Sequence, residues 1–213
     1  FSITRPIQSI SLFHASSLNI KLDRGSGRTG LNARITGTIK EPHVESPVTR
    51  INANLFYHYL DSTALDPVLY DGGKFFITSL SYSKNWELNI DSKLAFQVGI
   101  KMGKEFARSY LSSDVKHRFT KNISTNIRFF ISGYIHTRDL PAQYRTYLSG
   151  SIDPDFEQNI LDRIGNSEAL QVLSHIYYDG GPGLHGLVLD KDGRPLATEK
   201  MAWSLRINQE LPY

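Results

Sequence analysis

The chain has no cysteine, so disulfides, thiolate metal sites and a cysteine nucleophile are all excluded. Such a composition fits the cytosol, and equally an outer-membrane barrel whose closed hydrogen bonding supplies the stability. No stretch of ~18 apolar residues occurs, which excludes a transmembrane helix. It does not exclude a membrane protein, because barrel strands alternate in polarity and escape hydropathy windows. The net charge is only +3 and the basic residues are scattered, so the footprint of a nucleic-acid binder is missing. Also missing are H-E-x-x-H, a Walker loop and G-x-S-x-G, and nothing forms a catalytic set. The chain opens at Phe1 with no charged segment and apolar run ahead of it, and is therefore read as a processed chain or an internal fragment.

What is present is alternation. Asn122 to Arg138 holds a period of two well beyond the ~5–6 residues of an ordinary strand. Ile123, Thr125, Ile127, Phe129, Ile131, Gly133 and Ile135 form one uncharged face; Asn126, Arg128, Ser132, Tyr134 and His136 lie on the other. A bilayer-spanning strand needs ~9–11 tilted residues with this division between lipid and lumen. A long curled strand of a soluble sandwich is the alternative.

Similar patterns predict strands at 17–23, 31–40, 50–61, 74–83, 86–90, 93–102 and 200–211. Shorter strand-like stretches fall at 144–150 and 171–178, for about ten in all. Lys84-Asn85 and Asp91-Ser92 read as tight turns, and 41–49, 61–73 and 104–118 as long loops. Short turns on one side and long loops on the other would match outer-membrane barrels. The only expected helix is an insertion at 151–172, where Phe156, Ile160, Leu161 and Ile164 approach helical spacing. The eleven tyrosines and eleven phenylalanines suit interfacial girdles, as would Trp86 and Trp203, although strand propensity explains the same excess.

Candidate chemistry is sparse. Gly25-Ser26-Gly27-Arg28-Thr29-Gly30 spells a dinucleotide loop, yet a strand comes after it rather than the helix that would meet a pyrophosphate. His58 and His136 sit on polar strand faces, and Asn122-Ile123-Ser124 is a chance glycosylation spelling. Asp153, Asp155 and Glu157, like Asp190-Lys191-Asp192-Gly193, fall short of a calcium loop. No cofactor or metal is expected.

Three segments near the C-terminus carry a resemblance: Y-R-T-Y-L-S-G at 144–150, G-G-P-G-L-H-G-L at 180–187 and N-Q-E-L-P-Y at 208–213. In that order they resemble the C-terminal barrel region of the surface-antigen superfamily, the insertase and two-partner-secretion type. Tyr147, Gly150, Gly186, Glu210 and Pro212 match family positions. His185 stands where the family has arginine, and Leu187 where it has an aromatic residue. The roughly 35 residues between Gly150 and Gly186 are more like barrels attached to other outer-membrane modules. The resemblance implies a loop motif at Leu184, His185 and Gly186 that folds into the lumen. The family's last strands would follow Tyr213, so the barrel would be completed by missing sequence, by another chain, or by closing as a smaller barrel.

The expectation is thus an all-β, antiparallel up-and-down transmembrane β-barrel, or part of one, spanning 1–213 as a single domain. It would act as a non-catalytic anchor, pore or insertion/secretion element in a bacterial-type outer membrane. Its partners would be lipids and other outer-membrane or periplasmic subunits. The lumen lining would comprise Arg34, Lys40, Lys93, Lys101, Arg128 and Arg206, with Glu210 as their partner, and would favour anions. For any one of these positions a solvated strand face is the alternative. A soluble sandwich or lipocalin-like cup holding an apolar ligand is the competing architecture, and an enzyme fragment the third.

Overall fold

A computed structural model of the protein describes residues 2–6, 13, 15–25, 28–40, 48–61, 63, 71–121, 123–147 and 197–210. Nine strands form one antiparallel sheet: β1 (Ser2–Pro6), β2 (Ala15–Gly25), β3 (Arg28–Lys40), β4 (Val48–Leu60), β5 (Gly73–Asn89), β6 (Ser92–Gly103), β7 (Phe106–Thr120), β8 (Ile123–Thr137) and β11 (Met201–Glu210). Each pairs with its neighbour in sequence, and β11 follows β8. The sheet is an up-and-down meander that does not close. A two-stranded pair, β9 (Thr146–Tyr147) with β10 (Ala197–Thr198), completes the described elements. No α-helix occurs among the described residues, only a 3-10 turn at Ala142–Tyr144. The insertion expected at 151–172 and the strand at 171–178 lie outside them.

Register explains the two faces. Because side chains alternate, each row of directly paired residues shares one face. Leu18, Ile35, Ala53, Leu80, Ile100, Ser109, Gly133 and Met201 form one such row. The adjacent row, on the opposite face, runs Asn19, Arg34, Asn54, Ser79, Lys101 and Arg108. The apolar row belongs to the outer, exposed face and the polar row to the inner one, where Asn54, Ser81, Lys101, Arg108, Arg128, Ser132 and Ser204 are buried. Along these two rows burial is therefore inverted relative to a water-soluble sheet.

Several expected boundaries change. Lys84-Asn85 is not a turn: β5 runs unbroken through it, and Lys84 Nζ lies 5.1 Å from the Trp86 ring centroid. The chain reverses at 104–105, and most of the expected loop 104–118 is β7. The separation of turns by side also fails. The end carrying Glu210 has the two-residue turn 90–91 beside the seven-residue connection 41–47; the end carrying Leu60 has 104–105 beside 61–72. A register shift opposite Ala107 brings His136 in line with that residue rather than with the polar row.

The apolar core sits on the inner face at the Leu60 end. Phe56, Leu60, Phe75, Ile77 and Phe106 pack there against Leu140 and Tyr144. Those last two belong to a strap, residues 138–147, that folds back after β8. Arg138 N–H donates to Glu105 O (2.7 Å), Ala142 N–H to Asp71 Oδ2 (2.6 Å) and Tyr144 N–H to Pro141 O (2.9 Å). Arg145 and Glu199 form a half-exposed ion pair at 3.0 Å beside the β9–β10 pairing. Further along the inner face a glycine is required: a Cβ on Gly99 would come within 2.6 Å of the Tyr110 ring paired opposite it.

Candidate functional site

The register places Arg34, Lys93, Lys101, Arg128, Arg206 and Glu210 on the inner face. They do not form one cluster. Lys40 belongs to β3, but its side chain lies outside the described residues.

Toward the Glu210 end, Asp114, Arg128 and Arg206 are direct cross-strand neighbours on β7, β8 and β11. Asp114 Oδ1 stands 3.9 Å from Arg128 Nε and offsets the repulsion between two guanidiniums in one row. Lys93 pairs with Glu87 at 2.9 Å on an exposed rim, where such a pair contributes about 0–1 kcal/mol. Glu210, expected to answer the cations, instead accepts a 2.5 Å hydrogen bond from Ser124 Oγ. Arg118 meets the turn at Asp91, with Nη2 2.9 Å from Oδ1.

Toward the Leu60 end the cations are desolvated. Lys101 is 2% exposed and Arg108 3% exposed. Burying a cation is costly unless hydrogen-bond acceptors and negative electrostatic surface are offered in return. The strap supplies both. Lys101 Nζ lies 5.3 Å from the Tyr144 ring and 6.0 Å from the Phe56 ring. Arg108 Nη1 donates to Thr146 Oγ1 at 3.3 Å, and its guanidinium lies 5.9 Å from the Tyr134 ring. Tyr134 donates its hydroxyl proton to the Tyr144 carbonyl at 2.5 Å. Arg108 escapes sequence reading because 104–118 lacks a clean apolar face.

Between these zones is a recess of about 380 Å³ lined by Arg34, Thr36, Arg50, Asn52, Asn54, Ser81, Ser83 and Gln97. Arg34 Nε donates to Asn54 Oδ1 (2.7 Å), and Asn54 Nδ2 donates to Ser79 Oγ (3.0 Å). Thr36 Oγ1 donates to Asn52 Oδ1 (2.8 Å). Arg50 is a further residue missed in sequence, because it lies at the polar start of a strand whose apolar alternation begins only at Ile51.

Of the histidines, His58 is buried with its ring stacked 5.9 Å from Phe56, and His117 Nδ1 is 2.8 Å from Ser92 Oγ. Among the described residues no group of three or more His, Cys, Asp or Glu side chains is placed to hold a metal ion. The loop motif Leu184, His185 and Gly186 lies outside the described residues, as do Gly150, Leu187 and Pro212. No described helix is long and apolar enough to cross a membrane, which says nothing of a β-barrel. The chain matches no family model, no curated protein and no solved structure.

Proposed function

We propose that this chain forms part of the wall of a β-barrel in a bacterial-type outer membrane. There it serves as an anchor, pore or protein insertion/secretion element of the surface-antigen kind, and performs no catalysis itself. Its neighbours would be lipids and other envelope subunits. The observation that carries this reading is the inverted polarity of the sheet. Leu22, Ile35, Leu55, Leu80, Met102, Ile127, Trp203 and Leu205 are exposed, while serines, Asn54 and cations are buried behind them.

Size supports the same reading. Eight intervals of ~4.8 Å by a band ~25 Å tall give an outer face on the order of 1,000 Å², rich in apolar side chains and larger than the ~300–600 Å² apolar patch of a typical soluble monomer. On β8, Ile123 to Ile135 carries no charged outer residue, and this is ~40 Å of strand at ~3.3 Å per residue. Tilted by ~40°, that length spans ~30 Å, the thickness of a hydrocarbon core. A soluble cup for an apolar ligand would need its apolar faces turned inward. Here the main apolar part of the inner face is already covered by the strap.

The test uses Trp203, 65% exposed on the outer face. In a Trp86→Phe background, vesicles of lipids brominated along the acyl chain should quench its fluorescence, while aqueous acrylamide should not. Quenching by acrylamide alone, together with release from envelopes by carbonate, would overturn the proposal.

A further inference from the structure

The strap is built like a lid with a pivot, a seat and a latch. The pivot is Asp139, the one non-glycine residue with a positive φ (50°) among the described residues. Side chains are disfavoured in that region, although aspartate tolerates it better than most, so the turn stores strain. Residues 135–139 are exposed, whereas Leu140, Pro141, Ala142, Tyr144 and Thr146 are buried, so the chain passes under cover directly after the pivot. On the near side Arg138 N–H is pinned to Glu105 O, which leaves Asp139 as the point about which the strap can turn. On the far side the latch is short. β9 gives two residues to β10, and the Arg145–Glu199 pair beside it is half-exposed and therefore screened by salt.

The surface under the strap is more than a packing face. Burying Lys101 and Arg108 costs more than burying apolar side chains of similar size, so a wall covered for good gains nothing from them. The strap meets directional partners there. The Tyr144 ring sits against Phe75, Phe106 and Lys101, its carbonyl accepts from the Tyr134 hydroxyl, and Thr146 Oγ1 accepts from Arg108. An aromatic anchor in a pocket, with polar groups fixing the chain on either side, is how receptors hold extended peptides. We infer that the strap is an autoinhibitory lid. It swings about Asp139 and unlatches at β9–β10, and the seat it vacates binds an extended polypeptide segment carrying an aromatic side chain. The inference stands on contacts of the inner face and not on membrane insertion.

Fluorescence anisotropy on the full chain tests this, with a labelled peptide of the strap sequence 140–147 as the probe and its Tyr144→Ala form as the control. The parent should bind the probe weakly, because the tethered strap competes at high effective concentration. Tyr144→Ala in the chain should tighten binding at least about tenfold, and the control peptide should bind neither chain. Tyr147→Cys with Ala197→Cys puts two cysteines into a cysteine-free chain on directly paired residues, where a disulfide can close. Added to Tyr144→Ala, this pair should abolish probe binding when oxidised and restore it when reduced. Asp139→Ala, at an exposed residue, should also tighten binding while Asp139→Gly should not, since only alanine resists the positive φ. Circular dichroism of each variant separates loss of binding from loss of fold. No binding to folded Tyr144→Ala at millimolar probe, or equal binding of probe and control peptide, would overturn the inference. Tight binding that survives the closed disulfide would overturn the lid half of it.

Discussion

Tyr144→Ala tests whether the strap is held by its own contacts rather than by continuity with the sheet. The Tyr144 ring stacks on Phe106 (centroids 5.1 Å apart, planes at 28°) and meets Phe75 edge-on (5.7 Å, 69°). Each such pair contributes about 0.5–1.5 kcal/mol beyond its burial. Lys101, 2% exposed with its ammonium 5.3 Å from the same ring, adds about 0.5–2 kcal/mol. Together these give about 1.5–5 kcal/mol, a range that contains the ~3–5 kcal/mol usual for truncating a buried aromatic side chain, and about 3–4 kcal/mol lies in the overlap. At ~1.4 kcal/mol per power of ten, the strap should open two to three decades more often. Amide hydrogen exchange reads this directly: the amides of Ala142, Tyr144 and Arg145 should lose about that much protection while those in the middle of β4–β7 keep theirs. Tyr144→Leu restores apolar volume without a π face, so its remaining deficit reports the ring contacts with Phe106, Phe75 and Lys101 together. Parallel loss of protection in the central strands would refute the idea of a separately held strap. A change of less than about tenfold would show that the ring does not hold it.

Three further outcomes rest on the same geometry. Gly99→Ala should lower stability by about 1–3 kcal/mol by driving a methyl group into Tyr110, and in a thermal-unfolding cycle with Tyr110→Ala the two costs should not add. Asp114→Asn removes the carboxylate from a row in which Arg128 directly faces Arg206; a loss of about 1–2 kcal/mol in urea at low ionic strength should shrink as salt is added, and a salt-independent loss would point to packing instead. Leu80→Arg, at an outer position 51% exposed, should cost about 2–4 kcal/mol for the protein folded into lipid vesicles but under ~0.5 kcal/mol if that face meets water. Denaturant titration in vesicles decides between them.

The strands legible in the sequence are those whose outer face is densely apolar. The expected stretches 31–40, 50–61, 93–102 and 122–138 fall within a few residues of β3, β4, β6 and β8. β7 is not legible because its outer positions include Ala107, Ser109, Ser113 and His117, while Phe106 and Tyr110 point inward, so neither face stands out. β5 reads as two strands because lysine and asparagine usually punctuate, yet the Lys84 ammonium reaches over Trp86 and leaves the period intact. The same physics governs the site. Arg34, Lys101, Arg128 and Arg206 can be assigned to one face from alternation alone. Their grouping depends on which strands are neighbours and in what register, which no single strand encodes. The strap carries no period at all, and its burial is set by the surface it lands on.

Nine strands in an unbroken meander is an odd number. Successive strands alternate direction, so β1 and β11 run the same way. A seam made by joining those two directly would be parallel, with slanted hydrogen bonds, the sole such junction in an otherwise antiparallel wall. Any fully antiparallel ring that contains this sheet must therefore take up an odd number of additional strands, which makes the total even as in bacterial single-chain barrels. The strand docking on β11 would have to run in the direction of β8, and so would the one docking on β1.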